Sequence, residues 1–289
     1  MVPEQNISCR LLSDSDFDAL YRAFIEAFSD YQANMNVSQD RFRERLVRDG
    51  VEMQLSAAAF VNDEIAGFYI NGIGQWKARA TAYDAGTAVL PKYRARGIAT
   101  RLFEFLLPHL EMRGVEQYLL EVITTNTPAV NLYQKLGFTK TRTLAVFRAT
   151  EPLLPRSAPA TVELQDVQQP DWPLYQSFWD AQPSWQNSIE AVKRIPSAVQ
   201  IIAAFVEREC VGYGILHLST GNLMQLAVSP AHRRKHVGSS IVSALQNRLN
   251  SGEQLKATNI DRMSQAAVAF YQTSGFSHVL DQYEMIRSM

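Results

Sequence analysis

The sequence predicts an α/β protein made of two tandem copies of one domain, each a twisted, mixed, mainly antiparallel sheet flanked by helices. Two observations predict this. Strand-like and helix-like segments alternate in the same mixed order in both halves of the 289-residue chain. A pair of segments also recurs at a nearly constant offset. The loop segment Val89-Leu90-Pro91-Lys92-Tyr93-Arg94-Ala95-Arg96-Gly97-Ile98-Ala99-Thr100 returns as Val228-Ser229-Pro230-Ala231-His232-Arg233-Arg234-Lys235-His236-Val237-Gly238. The helix segment Asn126-Thr127-Pro128-Ala129-Val130-Asn131-Leu132-Tyr133, closed by Gly137-Phe138, returns as Ser264 to Tyr271, closed by Gly275-Phe276. Arg94 and Arg233 stand 139 positions apart, and Tyr133 and Tyr271 stand 138 apart. A period this long is that of a duplicated domain, not of a solenoid repeat.

The elements follow from residue pattern. Ile7–Leu11 reads as a first strand, and residues 14–31 and 38–48 carry helical spacing of apolar residues, with Ser38 placed to cap the second. Residues 57–61 and 65–73 read as hairpin strands around Asn62-Asp63-Glu64, and residues 83–90 as the strand that feeds the loop. A helix over 99–113, bent at Pro108, a strand over Gln117–Ile123, a helix over 128–136 and a last strand over 144–149 complete the first copy. The second copy opens on a strand at 161–164. Further strands follow at 201–207, 211–217 and 223–228, with helices at 237–249 and 265–273. Three prolines between Glu151 and Ala160 forbid a helix or central strand there. The expected division is therefore a first domain over 1–150, an extended linker over 151–160 and a second domain over 161–289.

Composition is that of a globular chain, with 46% apolar and 20% charged residues. A net charge of −1 argues against nucleic acid or an anionic membrane as partner. No apolar run approaches the roughly 18 residues that span a bilayer. The residues after Met1 lack the basic and apolar regions of a secretion signal. Cys9 and Cys210, the only cysteines, form no metal cluster and fit a reducing cytoplasm better than a disulfide. Cytoplasmic location is the expectation, and no metal is expected.

The loop between the 83–90 strand and the next helix has the geometry for holding a diphosphate. Backbone N–H groups of a basic, glycine-containing turn and the positive end of a helix converge on one spot. Taken with the segment from Asn126 to Phe138, it resembles the GNAT family of acetyl-CoA-dependent acyltransferases. That family carries V-x-P-x-x-[QR]-x-x-G-x-[GA] followed by N-x-x-A-x-x-[LF]-Y-x-x-x-G-F, and the first half matches both in order. The resemblance implies acetyl-CoA as cosubstrate and a sheet that splays between its fourth and fifth strands to admit pantetheine. It assigns Arg94, Ala95, Arg96, Gly97, Ile98, Ala99 and Thr100 to the pyrophosphate cradle. Thr87, Ala88 and Val89 become the strand edge along pantetheine, and Val89 N–H also the donor to the thioester oxygen. Asn126 is a further contact to the coenzyme, although a plain helix cap explains it equally well.

For chemistry, Tyr133 is the candidate acid that protonates the departing thiolate, against the plainer reading of a core aromatic, since Tyr271 persists in the second copy. Glu121 on the fifth strand is the candidate base for an ammonium acceptor, with Asp84 on the fourth as its rival. Phe28 and Tyr31, with Phe24 and Met35, lie where the family builds its acceptor pocket, although their spacing is also that of a core-facing stripe. Trp172, Trp179 and Trp185 could line a pocket or an interface, with packing under a helix the default expectation. At the same offsets the second copy replaces Gly97 by His236, Asn126 by Ser264, Asp84 by Leu223 and Glu121 by Asn259. The first domain is thus expected to be the catalytic one and the second to be degenerate.

The expected activity is transfer of an acetyl group from acetyl-CoA to a primary amine by direct attack in a ternary complex. The acceptor would be a small-molecule amine or a protein N-terminus, and a homodimer is compatible with the sequence. Two alternatives stay open: a non-catalytic CoA-binding sensor or interaction module, and aminoacyl transfer from charged tRNA. The near-neutral charge counts against the second of these.

Overall fold

A computed structural model describes residues 7–30, 36–154, 157–250 and 252–289. By packing, the chain divides into two units, residues 1–141 with Glu284–Met289, and Arg142–Tyr283.

In unit 1, β1 (Ile7–Leu11) precedes α1 (Phe17–Ala27), whose Phe17, Leu20, Phe24 and Ala27 form one buried stripe at helical spacing. Helix α2 (Gln39–Asp49) is capped by Ser38, which accepts from the Arg41 N–H, and ends at Gly50 in the left-handed conformation. Strands β2 (Ala57–Val61) and β3 (Glu64–Trp76) join through Asn62 and Asp63, both at positive φ, as a two-residue hairpin requires. β3 and β4 (Arg79–Val89) are longer than expected and meet in a second hairpin at Lys77-Ala78. Those two residues also sit at positive φ but carry none of the glycine or asparagine signal. Helix α3 (Ile98–Met112) runs unbroken through Pro108, and β5 (Gln117–Ile123) and α4 (Thr127–Lys135) follow as expected.

Strands β1 to β4 pair antiparallel in order, and β4 pairs with β5 in parallel. That last pairing covers only Thr81↔Gln117, Ala82↔Tyr118 and Tyr83↔Leu119; beyond Tyr83 the two strands part. On the far side of β5 unit 1 is completed by Glu284–Met289, whose final N–H donates to the Glu116 carbonyl at 3.0 Å. Thr139 and Thr141 in turn bond to Ile286 and Glu284.

Unit 2 repeats the plan. Its elements are most of β6 (Thr139–Ala149), β7 (Glu163–Asp166), α5 (Trp172–Gln176), α6 (Ile189–Arg194), β8 (Val199–Val206), β9 (Glu209–His217), β10 (Asn222–Val228), α7 (Val237–Gln246), β11 (Lys256–Asp261), α8 (Gln265–Thr273) and most of β12 (Phe276–Ser288). Here the parallel pair β10–β11 meets at Asn222↔Lys256 alone, so it opens sooner than its counterpart.

The division by packing differs from the expected one. It falls inside β6 and again inside β12, because Ala145, Phe147 and Ala149 are buried in the unit 2 core with Ile241 and Leu245. Part of the expected linker is not free either. The Gln246 side chain bonds both the N–H and the carbonyl of Leu153, at 2.8 and 3.0 Å. Pro155 and Arg156 lie outside the described residues.

Candidate active site

The site of unit 1 grows out of an irregularity in β4. The register with β3 shifts between Asn71↔Asp84 and Ile70↔Gly86, leaving Ala85 as an extra residue. Arg45 of α2 holds this bulge by donating to the Ala85 carbonyl at 2.7 Å. Beyond the bulge, Thr87, Ala88 and Val89 stay paired with β3 while β5 diverges, so their other edge faces the gap. The Leu90 N–H donates to Ala66 of β3 at 2.9 Å. Antiparallel alternation therefore turns the Val89 N–H toward the gap, the orientation an oxyanion donor needs.

The loop that follows makes one helical turn, Pro91–Tyr93, then alternates extended and left-handed residues, with Ala95 at φ 62° and Gly97 at φ 73°, before α3 begins at Ile98. Successive N–H groups in such a run form a concave anion nest at the helix N-terminus. A Cβ built on Gly97 would meet nothing within 4 Å, so the loop is open beside this residue, as access for an anionic group to the nest requires.

Arg94 does something other than lend its charge to the nest. Its guanidinium is bidentate on Asp30 at 2.5 and 2.8 Å and also donates to the carbonyls of Ala27 and Val89. This pair holds the Asp30 carboxyl below its usual range. Arg94 therefore ties the loop to the end of α1 and to β4. Arg96 donates to the Lys92 carbonyl at 3.1 Å and lies over the Tyr93 ring.

Tyr133 of α4 and Asp84 of β4 meet: the phenol donates to Asp84 Oδ2 at 3.1 Å. Thr87 Oγ1 donates to the same oxygen at 2.8 Å and the Gly86 N–H to Oδ1 at 3.0 Å. The Thr87 side chain thus serves Asp84. Desolvation pushes the Asp84 carboxyl up to about 6, against the lowering pull of Thr87, Tyr133, Gly86 and the Arg45 charge. Burial, with the Asp84 charge beside it, holds the Tyr133 phenol well above its ordinary value.

Glu121 of β5 is joined to a different partner. Its Oε2 accepts from the Tyr83 phenol at 2.6 Å. Behind it stands Arg48, bidentate at 2.8 and 3.1 Å on the fully buried Asp49. Sequence reasoning missed Tyr83, Arg45, Arg48 and Asp49. The signal was present in α2, where Phe42, Arg45 and Asp49 follow one another at helical spacing, so the apolar stripe continues inward as charge.

Asn126 accepts from the Ala129 N–H at 3.3 Å and caps α4. Phe24 is fully buried, and Phe28 packs on it with ring centres 4.8 Å apart while staying partly exposed. Tyr31 and Met35 lie outside the described residues. Among the described residues, no group of three or more His, Cys, Asp or Glu is placed to hold a metal, and no helix is long and apolar enough to cross a membrane.

Unit 2 keeps the shape of this site and changes its chemistry. Arg234 and His236 take φ 62° and 61°, so the nest persists although His236 carries a Cβ where Gly97 has none. Arg233 repeats the strut, with bonds to Val228, Phe178 and Asp180. A cavity of about 960 Å³ opens here, lined among others by Val228, Arg233, His236, Asn259 and Tyr271. Trp179 also lines it and donates to the Tyr213 phenol at 2.5 Å, whereas Trp185 is core. Leu223 occupies the register position of Asp84, opposite Leu216, with Met224 as the bulge residue. Asn259 stands for Glu121 and is bonded to Ser184 and Gln282.

Comparison with known proteins agrees with this architecture. Residues 17–138 match the acetyltransferase (GNAT) family and residues 176–286 the acetyltransferase (GNAT) domain. An N-alpha-acetyltransferase of Sulfurisphaera tokodaii is 34% identical over 100 residues, 32% of this chain and 60% of its own. A [ribosomal protein bS18]-alanine N-acetyltransferase of Salmonella typhimurium is 36% identical over 87 residues, 30% of this chain and 56% of its own. The chain thus spans somewhat over half the length of these two relatives. A solved tandem GNAT protein from the clavulanic acid biosynthesis pathway covers 98% of both chains with a TM-score of 0.73 at 11% identity, which shows the shared fold. Two copies of a splayed sheet, each with an anion nest at the mouth of the splay, define a tandem α/β fold. The chain belongs to the GNAT acetyltransferase family, as a tandem member.

Proposed function

We propose that the chain is an N-acetyltransferase that moves an acetyl group from acetyl-CoA to a primary amine by direct attack in a ternary complex, and that unit 1 does the chemistry. The observation that carries this reading is that two hydrogen-bonded pairs, Asp84–Tyr133 and Glu121–Tyr83, stand where β4 and β5 part, beside an open nest. Unit 2 has Leu223 and Asn259 at the two carboxylate positions.

The nest from Ala95 to Thr100 would take the diphosphate, held in shape by Arg94, and the Thr87–Val89 edge would align pantetheine. The Val89 N–H faces the thioester oxygen, which gains negative charge as the amine attacks. Glu121, oriented by Tyr83, accepts a proton from the attacking ammonium. Tyr133 protonates the leaving sulfur.

A protein N-terminus is the favoured acceptor, because relatives named for α-amino and ribosomal-protein alanine acetylation are similar to this chain. The test is thiol release from acetyl-CoA with a peptide bearing a free N-terminal alanine, set against small amines. Release with small amines alone would reject the protein acceptor. No release with any amine would reject acetyl transfer.

A second reading applies to unit 2. A cleft of about 960 Å³ with a preserved nest and no carboxylate at the positions of Asp84 and Glu121 suits binding of the coenzyme without transfer.

A further inference from the structure

We propose that Asp84 and Tyr133 act as a single acid, in which Asp84 holds the proton and Tyr133 conducts it to the sulfur of the departing thiolate. This rests on the reading of unit 1 as an acetyltransferase and changes the part Asp84 plays in it, from rival base to positioning residue for Tyr133.

The Tyr133 phenol is 8% exposed and its proton is directed at Asp84 Oδ2, 3.1 Å away. While Asp84 is a carboxylate, that proton is committed, and giving it to sulfur would leave two anions side by side in a partly dry pocket. Once Asp84 is protonated the direction reverses. The carboxyl donates to the Tyr133 oxygen and the phenol proton is free to turn to the sulfur.

The energetics agree. A thiol of ordinary acidity, about 8.5, lies below a phenol held well above 10, so Tyr133 alone would be an uphill donor. A carboxyl at about 6 makes the same transfer downhill. The groups facing Asp84 are Arg45 from α2, Tyr69 from β3, Tyr118 from β5 and Tyr133 from α4. Arg45 spends a hydrogen bond on the Ala85 carbonyl, and the three phenols bring no charge at neutral pH. Unit 2 is the internal contrast: Tyr271 keeps the phenol, but Leu223 replaces the carboxyl, leaving a conduit without a source.

The step balances. As the thioester C–S bond breaks, its electron pair stays on sulfur, which takes the proton from Tyr133 Oη. Tyr133 Oη takes the proton of Asp84 Oδ2. The acceptor ammonium sheds two protons in becoming an amide; one restores Asp84 and the other goes to solvent.

The test compares two acyl donors, acetyl-CoA and the acetyl thioester of an electron-poor aryl thiol whose thiolate leaves without a proton. The acceptor is an alanine-initiated peptide. Asp84→Asn and Tyr133→Phe should each lower kcat on acetyl-CoA by about 100-fold and on the aryl thioester by about threefold or less, and the double variant should be no worse than either single one. Equal losses on both donors would overturn the paired acid and return Asp84 to a base or a structural part. A second measurement does not depend on turnover. Fluorotyrosine placed at position 133 should show a fluorine NMR shift that titrates with a midpoint near 6 in the otherwise native protein and not in Asp84→Asn. A flat shift would overturn the pairing. Failure of the native enzyme to release thiol with any amine would instead overturn the acetyltransferase reading, while the fluorine signal still decides whether Asp84 and Tyr133 are coupled.

Discussion

Replacing Asp84 by Asn should stabilise the protein at alkaline pH, and the gain should fade on acidification. The Asp84 carboxyl rises from 3.8 to about 6 in the folded state because burial disfavours its charge. A carboxyl raised on folding binds its proton more tightly in the native state than in the unfolded one. The penalty on the native state therefore grows as pH rises from the unfolded value, is complete above the folded one, and is relieved as pH falls back toward the unfolded value. At about 1.36 kcal/mol per pH unit, the penalty at pH 8 is up to ~3 kcal/mol, and by pH 5 it has dropped to roughly half. Partial solvent contact makes these upper bounds. Asparagine is close to isosteric: its oxygen can keep accepting from the Gly86 N–H while its NH2 donates to Thr87 Oγ1 or Tyr133 Oη, both able to accept, so the variant removes the charge and little else. Urea unfolding of native and Asp84→Asn protein at pH 5 and pH 8, followed by tryptophan fluorescence, measures the difference. A stability gain at pH 8 that shrinks by ~1.4 kcal/mol at pH 5 fits the reasoning. A gain that does not change with pH, or a loss at both values, would show that Asp84 is not held against its charge. The same variant is expected to lose activity on acetyl-CoA, which would make this carboxyl a site where function is kept at the expense of stability.

Arg94→Ala should raise the KM for acetyl-CoA by about tenfold or more by loosening the loop, and Asp30→Ala should move it in the same direction. A silent Asp30 variant beside a damaging Arg94 one, in steady-state kinetics, would mean that Arg94 meets the phosphates directly. Gly97→His should fold with a loss of ~1 kcal/mol and His236→Gly should gain a similar amount, since both positions hold the same left-handed conformation and only the Cβ differs; denaturant midpoints check both. Calorimetric titration with CoA on these variants also counts the sites: one would confine binding to a single nest, two would give unit 2 a coenzyme of its own. Removing Glu284–Met289 should expose the edge of β5 and disorder unit 1. It takes away the Met289 bond to Glu116 and the Arg287 guanidinium that lies 5.3 Å from the Phe103 ring centre. Limited proteolysis that cuts residues 1–141 no faster in the truncated chain would refute this.

Much of the molecule was legible before any coordinates. The nest is encoded within a dozen residues, because a proline, a left-handed turn and the start of an apolar-periodic helix are set by local backbone geometry and read directly from Pro91, Gly97 and Ile98. The duplication was legible because a constant offset between two motifs needs no knowledge of packing. The caps at Ser38 and Asn126 were legible for the same local reason. The β3–β4 hairpin was not, since Lys77-Ala78 takes up a turn that its side chains do not favour and the paired strands impose.

The partners of the catalytic candidates belong to another class of information. Asp84 meets Tyr133 across 49 positions, Glu121 meets Tyr83 across 38, and Arg94 meets Asp30 across 64. Each pair depends on where separate elements dock on the sheet, and a residue's type alone cannot say which partner will lie within 3 Å. Burial is likewise a property of the assembled fold, so the raised Asp84 carboxyl and the buried Arg48–Asp49 pair exist only after α2, β4 and α4 have packed. The amino-acid sequence by itself determined the family, the two copies and the anion nests, all of which rest on short-range geometry. The tertiary structure alone decided which charges meet, which are dry and where one unit ends and the other begins, because those depend on contacts between residues far apart in the chain.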